Sequence, residues 1–369
     1  MLWVGLYLPQ VSYRHLPTRI LKCKLGMSFH NLSISVLKVG RQLFGSPNVA
    51  AFFLCLISTN LVGCLKDEEP VKPTASGNVI TRTIEMTPQY RYQVFYNLEE
   101  DSLKSRNLKW DWDLAFDASA DGSVVRINGA KYMFSSRMPT EDFLGVRDTQ
   151  GSFQKRRWEA VNTPDSVTIG SIKNNHKVFW LDRGYDENGD QLPYVKIQFD
   201  SVDGQKYRLR VARLGKLDMP EIYEVTKDPS VNFVYFSLTT NKIVKVEPPK
   251  TTWDVQFTQY MYTFFDPYTP YIVTGVLLNS YQTTAAVDSM TGFAKIDRLF
   301  AQNMKLTNQI DVIGYNWKGF SLNNQAYNIN SQYTYVIKNA NGLFYKLRFI
   351  GFFNASGQRG YPKFEYQKL

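Results

Sequence analysis

Histidine and cysteine are both scarce in this chain, which has three of each among its 369 residues. Cys23 and Cys55 lie in the N-terminal part, and Cys64 is the last cysteine in the sequence. The chain that follows Cys64 can therefore form neither a disulfide nor a thiolate metal site by itself. The same part holds one histidine, His176, which excludes a Ser/His/Asp triad and any metal site built from several histidines.

Motifs of the common enzyme classes are also missing: there is no nucleophile elbow, P-loop, zinc-protease pair or glycine-rich dinucleotide turn. Asp111, Asp113 and Asp117 are close enough in sequence to suggest the carboxylate pair of a glycosidase. However, Asp113 belongs to a Trp-Asp-x-x-Phe motif that recurs at Trp253, which favours a structural role. The acidic segment 186–190 lacks the downstream glutamate of a calcium loop and is typical of a hairpin turn. We predict that the protein is not an enzyme.

Positive charge is concentrated at the N-terminus. Residues 1–63 carry six Lys and Arg residues and no Asp or Glu, so the remaining chain has 37 basic and 33 acidic side chains. Its net charge is therefore near +4, whereas the whole chain has +10. A balance this even does not indicate a nucleic-acid partner. Met27 is a plausible natural start, because it gives the leader an ordinary length and a basic first region.

The end of this basic region has the features of a bacterial lipoprotein signal. The apolar run 49–59 is too short for a membrane helix, which needs about 20 residues, but suits the apolar region of a signal peptide. The segment Leu61–Cys64 that follows resembles a lipobox, and the charged segment 65–69 resembles the surface-export signal of Bacteroidetes lipoproteins. We predict that residues 1–63 are removed and that lipidated Cys64 anchors the protein in the outer membrane, exposed at the cell surface.

Beyond a polar tether over residues 64–77, the pattern is that of a mainly β protein. Aromatic residues make up 15% of the chain, and apolar runs alternate with turn-forming segments, which indicates antiparallel strands. One stretch departs from this pattern and has apolar residues at helical spacing. It predicts a short amphipathic helix whose apolar stripe is Phe293, Ile296, Leu299, Phe300 and Met304.

The two halves of the chain resemble each other. Three pairs of segments are similar, occur in the same order and lie at similar spacings: 94–98 with 234–238, 112–116 with 253–257, and 194–199 with 344–349. A tandem duplication is the simplest account of this order. We predict a first β module over residues 78–230 and a second over residues 231–369, with Trp112 and Trp253 in equivalent positions.

The second half resembles the HmuY family, which comprises haem-binding surface lipoproteins of anaerobic gut and oral bacteria. The resemblance covers residues 231–369 and, more weakly, residues 78–230. It is carried by Phe233–Leu238, Lys242–Val244, Trp253–Tyr260, Tyr333–Lys338, the turn Asn339–Gly342, Tyr345–Phe349 and Phe364–Tyr366. The resemblance implies an all-β fold and, from the best-known members, haem held between two axial histidines.

This sequence lacks the histidine pair, since no histidine follows His176. Haem iron also accepts methionine or tyrosine, and some relatives use methionine. Met290 and Met304 flank the predicted helix and are the candidate haem ligands, although Met304 also lies on the helix's apolar stripe, where a core role is common. Lys305 and Lys318 are the candidate partners for the haem propionates. No other metal is implied.

Two functions remain open. The first is a surface-tethered binding protein that takes haem or a similar flat ligand and passes it to an outer-membrane transporter. The second is a structural or glycan-contacting surface lipoprotein that keeps the fold without a haem site. The missing histidines favour the second, and the family resemblance favours the first.

Overall fold

The structure is a computed structural model, which describes residues 76–149, 151–163, 167–215, 219–321 and 326–369. In the first half of this part the strands are β1 (Ile80–Thr83), β2 (Tyr92–Asn97), β3 (Ser102–Leu108), β4 (Leu114–Asp117), β5 (Val124–Ile127), β6 (Phe134–Arg137), β7 (Gly170–Ser171), β8 (Phe179–Asp182), β9 (Val195–Val202), β10 (Lys206–Arg213) and β11 (Glu221–Thr226). In the second half they are β12 (Phe233–Ser237), β13 (Lys242–Val244), β14 (Val255–Phe265), β15 (Tyr268–Leu278), β16 (Thr284–Asp288), β17 (Lys318–Ser321), β18 (Ala326–Ile329), β19 (Thr334–Lys338), β20 (Phe344–Phe353) and β21 (Arg359–Lys368).

Helical structure within the described residues is limited to one α-helix, α1 (Arg298–Asn303), and to short 3-10 turns at Gly129–Lys131, Phe153–Lys155 and Phe293–Lys295. The prediction of a mainly β, antiparallel fold with one short helix in the second half is confirmed. The leader, Cys64 and most of the tether lie outside the described residues, so the predictions about them remain predictions. No helix of the described chain is long and apolar enough to span a membrane.

The strands form four large antiparallel sheets and one small hairpin, β17–β18. Sheet A has the order β1-β21-β20-β19-β16, sheet B β15-β14-β2-β3, sheet C β13-β12-β4-β5-β7, and sheet D β11-β10-β9-β8-β6. One large hydrophobic core lies between sheets A and B, and a second lies between sheets C and D. A smaller aromatic cluster joins sheets B and C, so the four sheets stack in the order A, B, C, D.

The two halves exchange the first strand of the repeated sequence pattern. β2 from the first half pairs with β14, in a register that places Tyr96 opposite Val255 and Val94 opposite Phe257. β12 from the second half pairs with β4, with Phe236 opposite Leu114 and Val234 opposite Phe116. The registers are the same at the positions that the sequence repeat relates. Sheets B and C therefore each combine strands from both sides of residue 230. Strand pairing thus crosses the predicted module boundary, and the division into two modules remains a prediction.

The repeated Trp-Asp motifs make matching hydrogen bonds. The Asp113 N–H donates to the Phe236 carbonyl and the Asp254 N–H to the Tyr96 carbonyl, each at 2.9 Å. Asp113 Oδ2 accepts from the Leu238 N–H, and Asp254 Oδ2 accepts from the Leu98 N–H, each at 2.7 Å. Each carboxylate therefore ties the strand that carries it to the strand exchanged from the other half. The interpretation of Asp113 as structural agrees with these contacts.

The tryptophans of the two motifs also have matching neighbours. Trp253 packs edge-on against Phe95, and Trp112 packs edge-on against Tyr235, with ring centroids 4.9 Å apart in both pairs. Trp253 is buried and Trp112 is half-buried. These rings belong to the cluster that joins sheets B and C, and so they connect the sandwich of sheets A and B to the sandwich of sheets C and D.

The predicted helical stripe is partly wrong. Leu299 is 67% exposed, whereas Ala301 is fully buried. The helix begins at Arg298, because Asp297 caps it by accepting a hydrogen bond from the Phe300 N–H at 2.8 Å. Phe293 and Ile296 are buried, but they precede the helix and do not share its periodicity. The prediction treated residues 293–304 as one continuous helix, and this placed Leu299 on the buried face.

Candidate functional site

The hairpin of β14 and β15 is the longest pairing in sheet B. The two strands pair without interruption from Val255–Leu278 to Phe265–Tyr268, whereas β2 pairs only with residues 255–257 of β14. The far half of the hairpin therefore extends beyond its neighbouring strand. Asp266 is its only charged residue over 255–278.

Aromatic side chains occupy both faces of this far half. Successive side chains of a strand point to opposite faces, and directly paired residues share a face. Tyr262 and Tyr271 are one such pair, and Phe265 and Tyr268 are another pair on the opposite face. Phe265, Tyr268 and Tyr271 are each more than half exposed, and Phe264 is 37% exposed. We call these five residues, 262, 264, 265, 268 and 271, the aromatic end of the hairpin.

One further aromatic ring packs on each face of the aromatic end. Tyr315 packs against Tyr262 with ring centroids 5.0 Å apart, and Trp158 packs against Tyr268 at 5.2 Å. The Trp158 indole N–H also donates to Thr263 Oγ1 at 3.0 Å. Ring contacts of this kind hold the exposed side chains in defined orientations, which lowers the entropy cost of binding a ligand.

A segment from the first half supports the hairpin. The Asn162 side chain donates to the Thr263 carbonyl and accepts from its N–H, both at 2.9 Å, and the Val161 N–H donates to the Met261 carbonyl at 3.1 Å. Residues 158–162 therefore take the place that β2 leaves free beside β14. Both halves of the chain thus contribute to the aromatic end.

The base of the hairpin is closely packed on its other edge. Gly314 and Val276 exchange backbone hydrogen bonds at 2.9 and 3.0 Å. A side chain at Gly275 would place a Cβ 2.3 Å from the Gly314 carbonyl oxygen, so this close approach requires glycine. The edge of β15 is therefore covered near residues 276–278.

The two predicted methionine ligands lie in different environments. The Met290 side chain is 93% exposed, in the turn after β16, where the Met290 N–H donates to Asp288 Oδ2 at 3.2 Å. Met304 ends α1 and packs against a small cluster that contains Ile296 and Phe344. Met290 is available to a ligand from solvent, and Met304 contributes to packing. Their ligation of haem remains a prediction.

The two predicted lysines also differ. Lys305 is exposed. Lys318 is buried, where its Nζ donates to the Thr274 carbonyl and lies 4.3 Å from the Trp317 ring centroid and 5.1 Å from that of Phe352. Burial lowers the pKa of Lys318 to about 7. In this position Lys318 cannot meet a haem propionate without leaving the core.

A haem held by two histidines does not fit these residues. His176 lies in the first half, with its Nδ1 3.2 Å from the Phe199 carbonyl oxygen. No group of three or more His, Cys, Asp or Glu side chains in the described chain is arranged to hold a metal ion. The aromatic end, by contrast, offers flat apolar rings to a flat ligand. The exposed rings therefore match the flat plane of a porphyrin, but the described residues do not provide two histidines to bind its iron.

Sequence reasoning missed the aromatic end, although a signal was present. Residues 260–271 contain six aromatic side chains in twelve positions and a single charge. The sequence pattern predicted short strands separated by turns and assigned no strand to residues 261–270. The period-two alternation continues through both strands to the turn, and this extension of the hairpin is what exposes the rings.

Comparison with protein families finds one match. Residues 230–366 match the family model described as HmuY protein. The resemblance expected for the second half is therefore confirmed. No curated protein matches the chain.

Comparison with solved structures finds similar proteins from Tannerella and Bacteroides. The apo HmuY analogue TFO of Tannerella forsythia is 11% identical, with a TM-score of 0.23, over 80% of this chain and 98% of that one. A Bacteroides vulgatus protein described as HmuY-like and heme binding is 12% identical, with a TM-score of 0.20, over 78% and 90%. A Bacteroides fragilis protein described as a lipoprotein is 16% identical, with a TM-score of 0.22, over 36% and 80%. At such TM-scores these superpositions give no information about individual residues.

Proposed function

We propose that this chain is a cell-surface lipoprotein of the HmuY kind, whose aromatic end receives haem or a similar flat ligand. The observation that carries the proposal is the exposure of rigidly held aromatic rings on both faces of one nearly uncharged hairpin. This hairpin lies inside residues 230–366, the region that matches the HmuY family. After capture, the ligand passes to an outer-membrane transporter.

The physical argument is that such a surface is costly unless it has a partner. Large apolar side chains grouped on a surface mark binding sites in soluble proteins. Stacked or edge-on aromatic contacts contribute about 0.5–1.5 kcal/mol each beyond the burial of their area. A flat ligand that covers Phe265 and Tyr268, or Phe264 and Tyr271, gains several such contacts at once.

Haemin titration followed by absorbance tests the proposal. We expect a Soret shift with the wild-type protein, and at least a tenfold weaker affinity for the double variant Phe265→Ser, Tyr268→Ser. Tyr185→Ser is the matched control, because Tyr185 is 45% exposed but lies far along the chain in a different turn. An unchanged affinity in the double variant would show that the aromatic end is not the contact surface.

The anchoring part of the proposal has its own test. Cys64→Ala should abolish labelling by a palmitate probe and release the protein from membranes, because the thiol is the acceptor of the lipid. Protease treatment of intact cells should degrade the wild-type protein if it is exposed at the surface. A Cys64→Ala protein that still carries the label would rule out lipidation at this residue.

A glycan is the second candidate ligand, and the absence of a histidine pair favours it. Sugar rings stack on exposed Tyr, Phe and Trp side chains as porphyrins do, and they need no iron ligand. If haemin gives no Soret shift in either redox state, while immobilised polysaccharide retains the wild-type protein but not the double variant, the glycan function replaces the haem function.

A further inference from the structure

A cavity of about 180 Å³ lies between sheets B and C, and Tyr260 and Met261 of the β14–β15 hairpin are among its lining residues. Its walls come from both halves of the chain: Gln93 on β2, Arg126 on β5 and Gln256 on β14 are among the lining residues, with Trp112 and Tyr235 from the contact between the sheets. Polar side chains are unusual at a contact between two apolar sheet faces, where burial without a partner costs free energy.

Three of the lining residues carry a buried N–H donor that has no hydrogen-bond partner. These are Gln93 Nε2, Trp112 Nε1 and Arg126 Nε. Gln93 is only 2% exposed, so solvent does not satisfy its amide. Buried donors are nearly always paired in folded proteins, by protein, water or ligand. These three N–H donors, together with the buried Tyr260 hydroxyl that also lines the cavity and has no partner, favour an acceptor-rich occupant.

The cavity shares lining residues with a cleft of about 550 Å³ that is open to the surface. Both are lined by Arg126, Glu159, Ala160, Val161 and Ile310. The outer part of the cleft carries uncharged polar side chains, among them Asn162, Thr163, Asn308 and Gln309. A ligand can therefore enter from solvent and place its most polar group beside Arg126.

We propose that this cleft is a second binding site, which takes a small carboxylate and holds its oxygens on the donors of Arg126, Trp112 and Gln93. A guanidinium matches a carboxylate in geometry and charge. Arg126 is the one cation among the residues that line the cavity, so a singly charged group fits better than a phosphate. Asn308 and Gln309 of the outer cleft suit the neutral polar remainder of the ligand, whereas the Asn162 amide is held by the Thr263 backbone.

Glu159, which also lines the cavity, offsets the charge of Arg126 only in part. Its Oε1 accepts hydrogen bonds from the Ile127 N–H at 3.1 Å and from Thr168 Oγ1 at 3.2 Å, so it is held on the protein side. Burial raises the pKa of Glu159 to about 7, against the opposing effect of Arg126, so the carboxyl is partly neutral near pH 7. Arg126 therefore retains positive charge for a ligand.

Isothermal titration calorimetry at pH 6.5 with two carboxylates and a neutral sugar tests the inference. Glucuronate represents a carboxylated sugar, N-acetylalanine represents a peptide C-terminus, and glucose is the uncharged control. We expect binding of at least one carboxylate and none of glucose. Binding of glucuronate alone or of N-acetylalanine alone supports the site and identifies the source of the carboxylate.

Three variants test the assigned residues. Arg126→Gln should weaken binding at least tenfold, and Trp112→Phe, which keeps a ring against Tyr235, should weaken it severalfold. Glu159→Gln should bind as tightly as wild type or more tightly. If neither carboxylate binds, if glucose binds equally well, or if both Arg126→Gln and Trp112→Phe keep wild-type affinity, the cavity is a water-filled gap and the inference is wrong. Haemin binding at the aromatic end is measured separately and does not affect these outcomes.

Discussion

Asp113 and Asp254 occupy matching positions but have different charged neighbours. Asp113 is completely buried and pairs with two buried cations, Lys131 Nζ at 2.5 Å and Arg183 Nη2 at 3.2 Å. Asp254 is also buried, but it forms no ion pair with the described residues. Burial raises the pKa of Asp254 to about 6, and Glu99 and Glu100 add to the effect. The two repeat-related aspartates therefore differ: Asp113 forms an ion triad with Lys131 and Arg183, and Asp254 is a buried acid without an ion-pair partner among the described residues.

This difference predicts that the Asp→Asn substitution lowers the free energy of unfolding by different amounts at the two positions. Asp113→Asn leaves two buried cations without an anion and should lower the free energy of unfolding by roughly 3–5 kcal/mol. Asp254→Asn keeps an acceptor for the Leu98 N–H and removes an unpaired charge, so its effect at pH 7.5 should stay within about 1 kcal/mol. Urea denaturation of both variants measures this. An equal loss of unfolding free energy in the two variants would contradict the ion triad as the source of the difference.

Glu247 gives the protein a pH-dependent stability. Its carboxylate accepts hydrogen bonds from the Phe233 N–H at 3.0 Å, the Asn232 side chain at 2.6 Å and the Trp253 indole at 3.3 Å. Burial nevertheless raises the pKa of Glu247 to about 7. Because the folded state binds the proton more tightly than the unfolded state, this contribution to stability is complete below about pH 4.5 and is lost as the pH rises through 7.

The prediction is a free energy of unfolding that falls between about pH 4.5 and pH 7, with about 3 kcal/mol of the fall due to Glu247. Asp254 and Glu159, whose pKa values burial also raises, contribute in the same direction. Glu247→Gln should reduce the slope but not abolish it. Urea unfolding at four pH values measures the slope, and an unchanged slope in the variant would show that Glu247 is not the titrating group.

At the scale of elements, the β14–β15 hairpin is the better candidate binding element, whereas the sequence pointed to the helix. The helix α1 has six residues and is held by its cap and by the small cluster around Ala301. The β14–β15 hairpin has eleven residues in each strand and presents the larger apolar surface to solvent. The site proposed for haem therefore lies on an element defined by strand pairing.

The methionines flanking this helix give an element-scale prediction. Met304→Ala should lower the free energy of unfolding by about 1–3 kcal/mol, because it removes packing from the α1 cluster, and Met290→Ala should change it by less than about 0.5 kcal/mol. Met138 packs in a comparable cluster of the first half and is the matched control for Met304.

The haem readout distinguishes packing from ligation. A thioether is a soft, neutral ligand and favours ferrous iron, so a Soret band that depends on Met290 or Met304 should be stronger with reduced haemin. Met138→Ala should leave that band unchanged. If Met290→Ala and Met304→Ala both leave it unchanged as well, methionine ligation is wrong and the aromatic end alone accounts for binding.

At the scale of the whole molecule, the exchange of β2 and β12 couples the two sandwiches. Sheet B is incomplete without β2 from the first half, and sheet C is incomplete without β12 from the second. Each core is therefore covered on one side by a strand from the other half. Such interdependence makes separate unfolding of one sandwich costly, because it exposes part of the other core.

We therefore predict one cooperative unfolding transition. Urea curves followed by far-ultraviolet circular dichroism and by tryptophan fluorescence should coincide. A fragment of residues 231–369 should fail to fold alone, because it lacks β2 and exposes the core positions of β14. Two resolved transitions, or a stable isolated fragment, would show that the halves are independent.

The amino-acid sequence by itself indicated the mainly β fold class and the resemblance of residues 231–369 to the HmuY family. Alternating apolar patterns and turn residues are local signals, because the side-chain period of a strand depends only on its own backbone. The repeated Trp-Asp motif was visible for the same reason. The prediction of Leu299 in the core was wrong because the helix began later than its apolar spacing suggested.

The tertiary structure alone decided which strands pair, which lysine is buried and which donors lack a partner. Pairing between β2 and β14 joins residues about 160 positions apart, and no local pattern distinguishes it from pairing within one half. The environments of Met290 and Lys318 likewise depend on what the rest of the chain places around them. Gln93 on β2 and Arg126 on β5 line one cavity only because sheets B and C face each other, and no local sequence pattern specifies that arrangement.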